Sequence, residues 1–236
     1  MMIIPNEERI VKWQEECMKK IAVAAAVAAF ALMGAMSGCA SDEVFTAQTY
    51  VEEGEVRSVS VDVSDRAVEL APSEDGKLRI DYYESEKTSY SISLSEEGVL
   101  SVTLDLDQSW TDFVGVQPAA EYRTVCVYLP QELTDVSVST TNEAISATGT
   151  IAAQNVSLTV NGGDLSFEKI SAGSSVTLSA KNGNITGTIV GSWDDYAIAC
   201  NVKKGETSLP ESKTGGSKTL AVDCNNGDVE VEIANA

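Results

Sequence analysis

The chain has 236 residues, with 36 Asp and Glu against 16 Lys and Arg, a formal net charge of −20 and no histidine. So acidic a surface repels phosphate backbones, which excludes nucleic acid as a partner. The lack of histidine removes the commonest general base and transition-metal ligand. An apolar fraction of 43% is enough for a packed core.

Met18-Lys19-Lys20, the alanine-rich run Ile21 to Met36 and then Ser37-Gly38-Cys39 have the basic start, apolar middle and small-residue end of a secretory signal. The run is shorter than the ~20 apolar residues a membrane-spanning helix needs. Residues 18–38 are therefore expected to be an export signal. Residues 1–17, which place four glutamates upstream of that signal, are read as a mis-assigned start, with Met18 as the true one. The tetrapeptide Met36-Ser37-Gly38-Cys39 resembles the bacterial lipobox, with Met where Leu is more usual. That resemblance implies a diacylglyceryl group on Cys39, which becomes the mature N-terminus. Membrane lipid is then a partner through the acyl chains, and the location is extracytoplasmic, anchored to the bacterial cell membrane.

Residues 39–56 are acidic, lack a sustained apolar period and are expected to be a tether. From Arg57 onward, Val59, Val61, Val63, Val68 and Leu70 alternate with polar residues, as do Leu78, Ile80, Tyr82, then Tyr90, Ile92, Leu94, and Leu100, Val102, Leu104. This period of two predicts half-buried strands, expected as antiparallel hairpins with Gly-containing turns such as Glu74-Asp75-Gly76. Trp110 to Ala120 breaks the alternation and reads as a loop, and Arg123 to Leu129 as a strand closed by Pro130.

The second half carries an internal repeat. Val136, Val156, Val176, Ile198 and Leu220 start units 20, 20, 22 and 22 residues apart. Two residues on stand Val138, Leu158, Leu178, Cys200 and Val222, and nine on stand Ile145, Leu165, Ile185, Thr207 and Val229. Seven on, the turn position holds Glu143, then Gly163, Gly183, Gly205 and Gly227. A strand-turn-strand unit of this length cannot bury its apolar face alone, so the units must stack. One coil of a β-solenoid and one hairpin of a repeated antiparallel sheet both fit. The expected fold class is all-β: a β-solenoid-like or repeated-sheet domain over residues 57–236, with N-terminal hairpins.

The turns Asn161-Gly162-Gly163-Asp164, Asn182-Gly183-Asn184 and Asn226-Gly227-Asp228, with the Val59 to Leu70 segment, Tyr128-Leu129-Pro130 and Tyr196-Ala197-Ile198, carry a wider likeness. Over Arg57 to about Ile233 the chain resembles the bacterial "putative adhesin" β-strand-repeat family, domain of unknown function 4097. The resemblance implies a fold more than an activity, and an exported or membrane-attached setting. Asn142-Glu143 and Lys204-Gly205 depart from the family's Asn-Gly turns and put regular corners there in doubt.

The Gly and Asn clusters are read first as corners, because both residues accept positive φ. The sharper alternative is that Asp164, Asn184, Glu206 and Asp228, eight residues past successive unit starts, stack into a column of oxygen ligands for calcium. No metal and no cofactor is assigned. Cys200 and Cys224 lie two and four residues past their unit starts. Parallel, in-register stacking puts them beyond the ~7 Å Cα reach of a disulfide, so these two and Cys126 are expected as free, buried thiols. Trp193-Asp194-Asp195-Tyr196, with Trp110 and Phe113, reads as rings that cap the open ends of the core, or else as a grip for a partner or glycan. No nucleophile with its activator, Walker loop, dinucleotide fingerprint or Cys-x-x-Cys is present, so no catalytic residue is assigned and an enzyme is not expected. A polysaccharide-active β-helix enzyme would need a cleft of Asp, Lys and Arg, which the few basic residues disfavour. The function expected is a surface-binding, adhesin-like module for an unidentified protein or glycan partner. The alternative is an envelope-stress or membrane-protein accessory module.

Overall fold

A computed structural model of the chain describes residues 43–106 and 118–235. The export signal, Cys39, Trp110 and Phe113 lie outside the described residues. In chain order the strands are β1 (Thr46–Glu52), β2 (Ser58–Asp62), β3 (Ala67–Pro72), β4 (Leu78–Glu84), β5 (Thr88–Leu94), β6 (Val99–Leu106), β7 (Thr124–Leu129) and β8 (Leu133–Thr140). Then follow β9 (Ile145–Gly162), β10 (Leu165–Asn182), β11 (Ile185–Val190), β12 (Tyr196–Lys204), β13 (Ser212–Lys213), β14 (Lys218–Asn226) and β15 (Val229–Ala234). They form one continuous sheet that curls over a single core.

The repeat columns found in the sequence are the ladders of this sheet. Val136 pairs with Val156, Val156 with Val176, Val176 with Leu220 and Leu220 with Ile198, every pair in parallel register. The side chains of all five are buried. On the opposing wall Val68, Ile145, Leu165, Ile185 and Val229 form a second parallel ladder, and Thr207 bridges to Val229. Each unit is therefore one coil: a strand in the first wall, a glycine corner and a strand in the second. Of the two architectures compatible with the spacing, the solenoid-like one is realised.

Two further coils lie in the N-terminal half, where hairpins were expected. In β2 and β3, Val59 stacks on Val136, Val61 on Val138, Val68 on Ile145 and Leu70 on Ala147. Val59, Val61 and Val68 stand at the repeat's own offsets of zero, two and nine, so this is a unit that the sequence already displayed. The other coil is split: β6 pairs in parallel with β2, and β7 with β3, with residues 107–123 inserted at the corner between them. Of the expected hairpins only β5 with β6 is one. β3 and β4 flank the Gly76 turn without pairing, because β7 lies between them. β3 is parallel to both its neighbours and β4 antiparallel to both of its own, and placement inside the sheet buries apolar sides that a hairpin facing solvent would leave half exposed.

The stacking order departs from chain order at the end. β14 enters between β10 and β12, so the last unit in sequence is the last but one in space. After Gly205 the chain leaves the second wall at Ser208-Leu209-Pro210. It then doubles back as β13, antiparallel to β12, and threads β14 into the open slot. The residues expected as a tether, 39–56, also need correction, because their described part contains β1, which pairs with β4 along its whole length. Tyr50 packs against the core, and that anchorage outweighs the weak apolar period.

Glycine at the corners follows from the stacking distance. A Cβ on Gly183 would lie 2.0 Å from the Gly163 carbonyl oxygen, one on Gly227 2.1 Å from that of Gly183, and one on Gly205 2.0 Å from that of Gly227. Neighbouring coils approach so closely here that no side chain fits between them. Their φ angles of 149°, 149° and 141° add a second penalty for any other residue. Lys204-Gly205 thus forms a regular corner despite its departure from the family turn. Glu143 stands outside the positive-φ set, so the first corner closes without glycine.

Cys200 and Cys224 are free and buried on adjacent strands, facing Val222 and Val202 respectively and not each other. Burial, reinforced by Asp228, pushes the Cys224 thiol above its ordinary range, which keeps it protonated and inert. Cys126 is buried on β7, as expected, but it does not stand among the free thiols of the described residues.

Gly183→Ala is expected to cost on the order of 2 kcal/mol or more, whereas Gly76→Ala, with φ of 75° but nothing within 4 Å of its Cβ, should cost about 1–2 kcal/mol. Urea unfolding of both variants checks the difference. Under native conditions a thiol reagent should leave Cys200 and Cys224 unlabelled, and both should react once denaturant is added, as read by intact mass.

Candidate binding surfaces

Parallel stacking converts each sequence column into a physical row. On the outer face of the first wall, Ser101, Ser60, Ser137, Ser157, Thr177 and Ala221 lie side by side on successive strands. The adjacent row is Thr103, Asp62, Ser139, Thr159, Ser179 and Asp223. Strand spacing of ~4.8 Å makes this an even field of short hydroxyl side chains.

The four residues nominated as a calcium column do form a column, in the order Asp164, Asn184, Asp228, Glu206. Their oxygens meet backbone instead. Asp164 Oδ1 accepts from the Asn184 amide at 2.8 Å, Asn184 Oδ1 from the Asp228 amide at 2.9 Å, and Asp228 Oδ1 from the Glu206 amide at 2.8 Å. The side chains of Asp164, Asn184 and Asp228 each thereby satisfy a corner amide of the next coil. Among the described residues no group of three or more His, Cys, Asp or Glu is placed to hold a metal ion. A second polar ladder runs along the start of the first-wall strands, where Ser58 and Asn155 donate to Asp135 and Ser175 donates to Asn155.

A groove of about 790 Å³ runs along the other row of corners, between the β7–β8 turn and the bends within β9 and β10. Leu129, Leu133, Ile151 and Ala172 form its apolar floor, with Gln131, Glu132, Gln154 and Lys218 at its rim. Lys218 is fixed there by donating to the Ala172 carbonyl at 2.8 Å. The groove therefore offers amides, one cation and one carboxylate above an apolar base. Three carboxyls elsewhere are held below their usual range: Glu52 by the Tyr50 hydroxyl, Asp75 by the Lys77 amide and Glu97 by the Ser95 hydroxyl. Hydrogen-bonded carboxylates of this kind stay ionised and make poor proton donors.

The aromatic residues divide. Tyr196 is fully buried and donates to the Val190 carbonyl, so it belongs to the core. Trp193 is 45% exposed on a short 3-10 turn capped by Ser192, with Lys213 Nζ 5.6 Å from its ring centroid. The N-terminal end of the stack is closed by rings that the sequence reading did not single out for this. Tyr82 and Tyr90 meet edge-on, Phe45 stacks on Tyr122, and Tyr122 meets Tyr83 edge-on. Burial, with Glu121 nearby, pushes the Tyr83 phenol up to about 12. Arg66 is buried at this end, donating to the Tyr90 hydroxyl and the Asp65 carbonyl.

A solved structure shares this architecture. A "putative cell adhesion protein" from Clostridium sporogenes superposes with a TM-score of 0.55 at 10% identity, over 80% of this chain and 100% of that one. A "putative adhesin" from Bacteroides fragilis covers 80% and 96% at 14% identity, with a TM-score of 0.33. A "putative lipid binding protein" from Parabacteroides distasonis covers 80% and 96% at 10% identity, with a TM-score of 0.22. No curated protein matches the chain. The family model described as Toastrack DUF4097 matches residues 56–235, the span of the stacked coils from the lead-in to β2 through β15, and the chain belongs to that family.

Proposed function

We propose that the protein is an extracytoplasmic lipoprotein, held to the membrane by acyl chains on Cys39, whose Toastrack domain is a non-catalytic binding module of adhesin-like character. The observation that supports this most is the junction of the lipobox-like Met36-Ser37-Gly38-Cys39 with a rigid stack whose first strand starts only seven residues later, at Thr46. Two acyl chains give stable anchoring where one gives marginal binding. Among the described residues no helix is long and apolar enough to cross a membrane. The printed name of the Clostridium sporogenes structure lends its adhesion reading to this chain, and the hydroxyl field and the amide-rimmed groove supply surfaces for a protein or glycan.

The short link favours a second reading, that the module serves a membrane protein. Seven residues reach at most roughly 25 Å, so the N-terminal end of the stack stays close to the lipid. A domain built to reach distant ligands would stand on a longer stalk.

Mass spectrometry of the full chain, expressed in a bacterium and extracted from membranes, tests the anchor. The expected product starts at Cys39 and carries the acyl mass, and Cys39→Ser should abolish both modification and membrane retention. Recovery of an unacylated chain that retains residues 1–38 would overturn the proposal.

A further inference from the structure

The ends of a β-stack expose unpaired backbone, and at three of the four ends here the chain itself meets part of it. β13 lies on the free side of β12, and the Glu211 carbonyl accepts from the Cys200 amide. On β15, Ser208 Oγ accepts from the Val231 amide at 3.0 Å and donates to its carbonyl at 2.8 Å, taking the place of a strand. On β5, the Glu84 carboxylate accepts from the Tyr90 amide at 3.0 Å.

β1 is different. Its pairing with β4 runs without a bulge from Thr46 to Glu52, and among the described residues no strand lies on its other side. Its sequence, TAQTYVE, holds no proline and no lysine, the devices by which natural edges are blunted. Val51 is 43% exposed and Val44, just before the strand, 75% exposed. A seven-residue, regular and partly apolar edge, charged only at its last residue, Glu52, is a template for one more strand.

Charge decides what that strand is. Glu43 precedes the edge and Glu52 ends it, neither in an ion pair among the described residues, while the nearby Glu53 and Glu55 are met by Lys77 and Arg57. No basic residue lies between positions 43 and 56, and the chain as a whole carries −20. A second copy would bring the same acids to the contact. We infer that β1 docks an extended, net-basic segment of another protein, with Lys or Arg alternating with apolar residues, and that this segment lies near the membrane surface. The last part rests on the lipoprotein reading, because only acylation at Cys39 would hold Thr46 within roughly 25 Å of the lipid.

The probe is an acetylated, amidated heptapeptide of alternating lysine and valine, titrated into the full-length lipoprotein in detergent micelles. Saturable binding is expected, with slowed amide exchange confined to β1. The same peptide N-methylated at alternate residues, which cannot extend a ladder, should bind at least tenfold more weakly, as should the glutamate-valine counterpart. Val51→Lys should weaken the lysine peptide by a similar factor while leaving the thermal transition near that of the parent. Equal binding of the acidic or N-methylated peptide, or protection away from β1, would refute the inference, and so would concentration-dependent dimers that slow exchange in β1 without peptide. Repeating the titration with Cys39→Ser separates the two readings: binding that persists in an unanchored chain keeps the edge, whatever becomes of the anchor.

Discussion

The close approach of successive coils at their glycine corners is the constraint from which the rest of the molecule follows. With a carbonyl oxygen of the neighbouring coil standing about where a Cβ would be at Gly183, Gly205 and Gly227, the backbones hydrogen-bond directly from one coil to the next, and Gly163, Gly183 and Gly227 each donate an amide across the gap. That contact fixes register. A slip by one residue would turn every apolar side chain of a coil from the core to solvent, and it would also drive a side chain into the adjacent corner. The core columns, the Asx ladder beside the corners and the hydroxyl rows on the outer face are all products of the same register.

The columns themselves were legible in the sequence because a solenoid repeats its physics at every turn: an apolar side chain must recur wherever the wall recurs. The Val59 unit obeys the same offsets, yet it was grouped with hairpins, since alternation alone cannot distinguish a strand paired with its chain neighbour from one paired with a distant coil. The exchange of the last two units was invisible for a different reason. Ile198 and Leu220 occupy equivalent columns whichever coil comes first, so no side chain records the order. Only the excursion through Ser208-Leu209-Pro210, where the second-wall strand shrinks to a bridge at Thr207, hints that the chain leaves its course.

The candidate surfaces were less legible. The oxygen column at Asp164, Asn184, Asp228 and Glu206 was found by spacing, but spacing does not say that each Oδ1 faces an amide. That follows from the corner, where the turn leaves N–H groups without a strand partner. The thiol geometry at Cys200 and Cys224 was derivable because it needed only register. The groove beside Gln131, Gln154 and Lys218 joins the β7–β8 turn to bends inside two long strands, and no local pattern links residues so far apart. Tyr82 and Tyr90 were read simply as members of strands and Tyr50 as part of the tether, and their closing of the stack became evident only once β1 and β5 were seen to be terminal.

A stack of identical layers has no intrinsic reason to stop, and its ends carry the information that its middle cannot. At the C-terminal end the chain supplies its own stops, a two-residue antiparallel strand and a serine that imitates one. At the N-terminal end the second wall stops at β1 with its hydrogen bonds outward and its neighbours acidic. Blocking one end while leaving β1 regular favours that edge for any added strand, and, were Cys39 acylated, the seven residues between them would set it next to the lipid. A link that short would deny the domain a long reach and give the open edge a defined position, which is what a module acting on a membrane-bound partner requires.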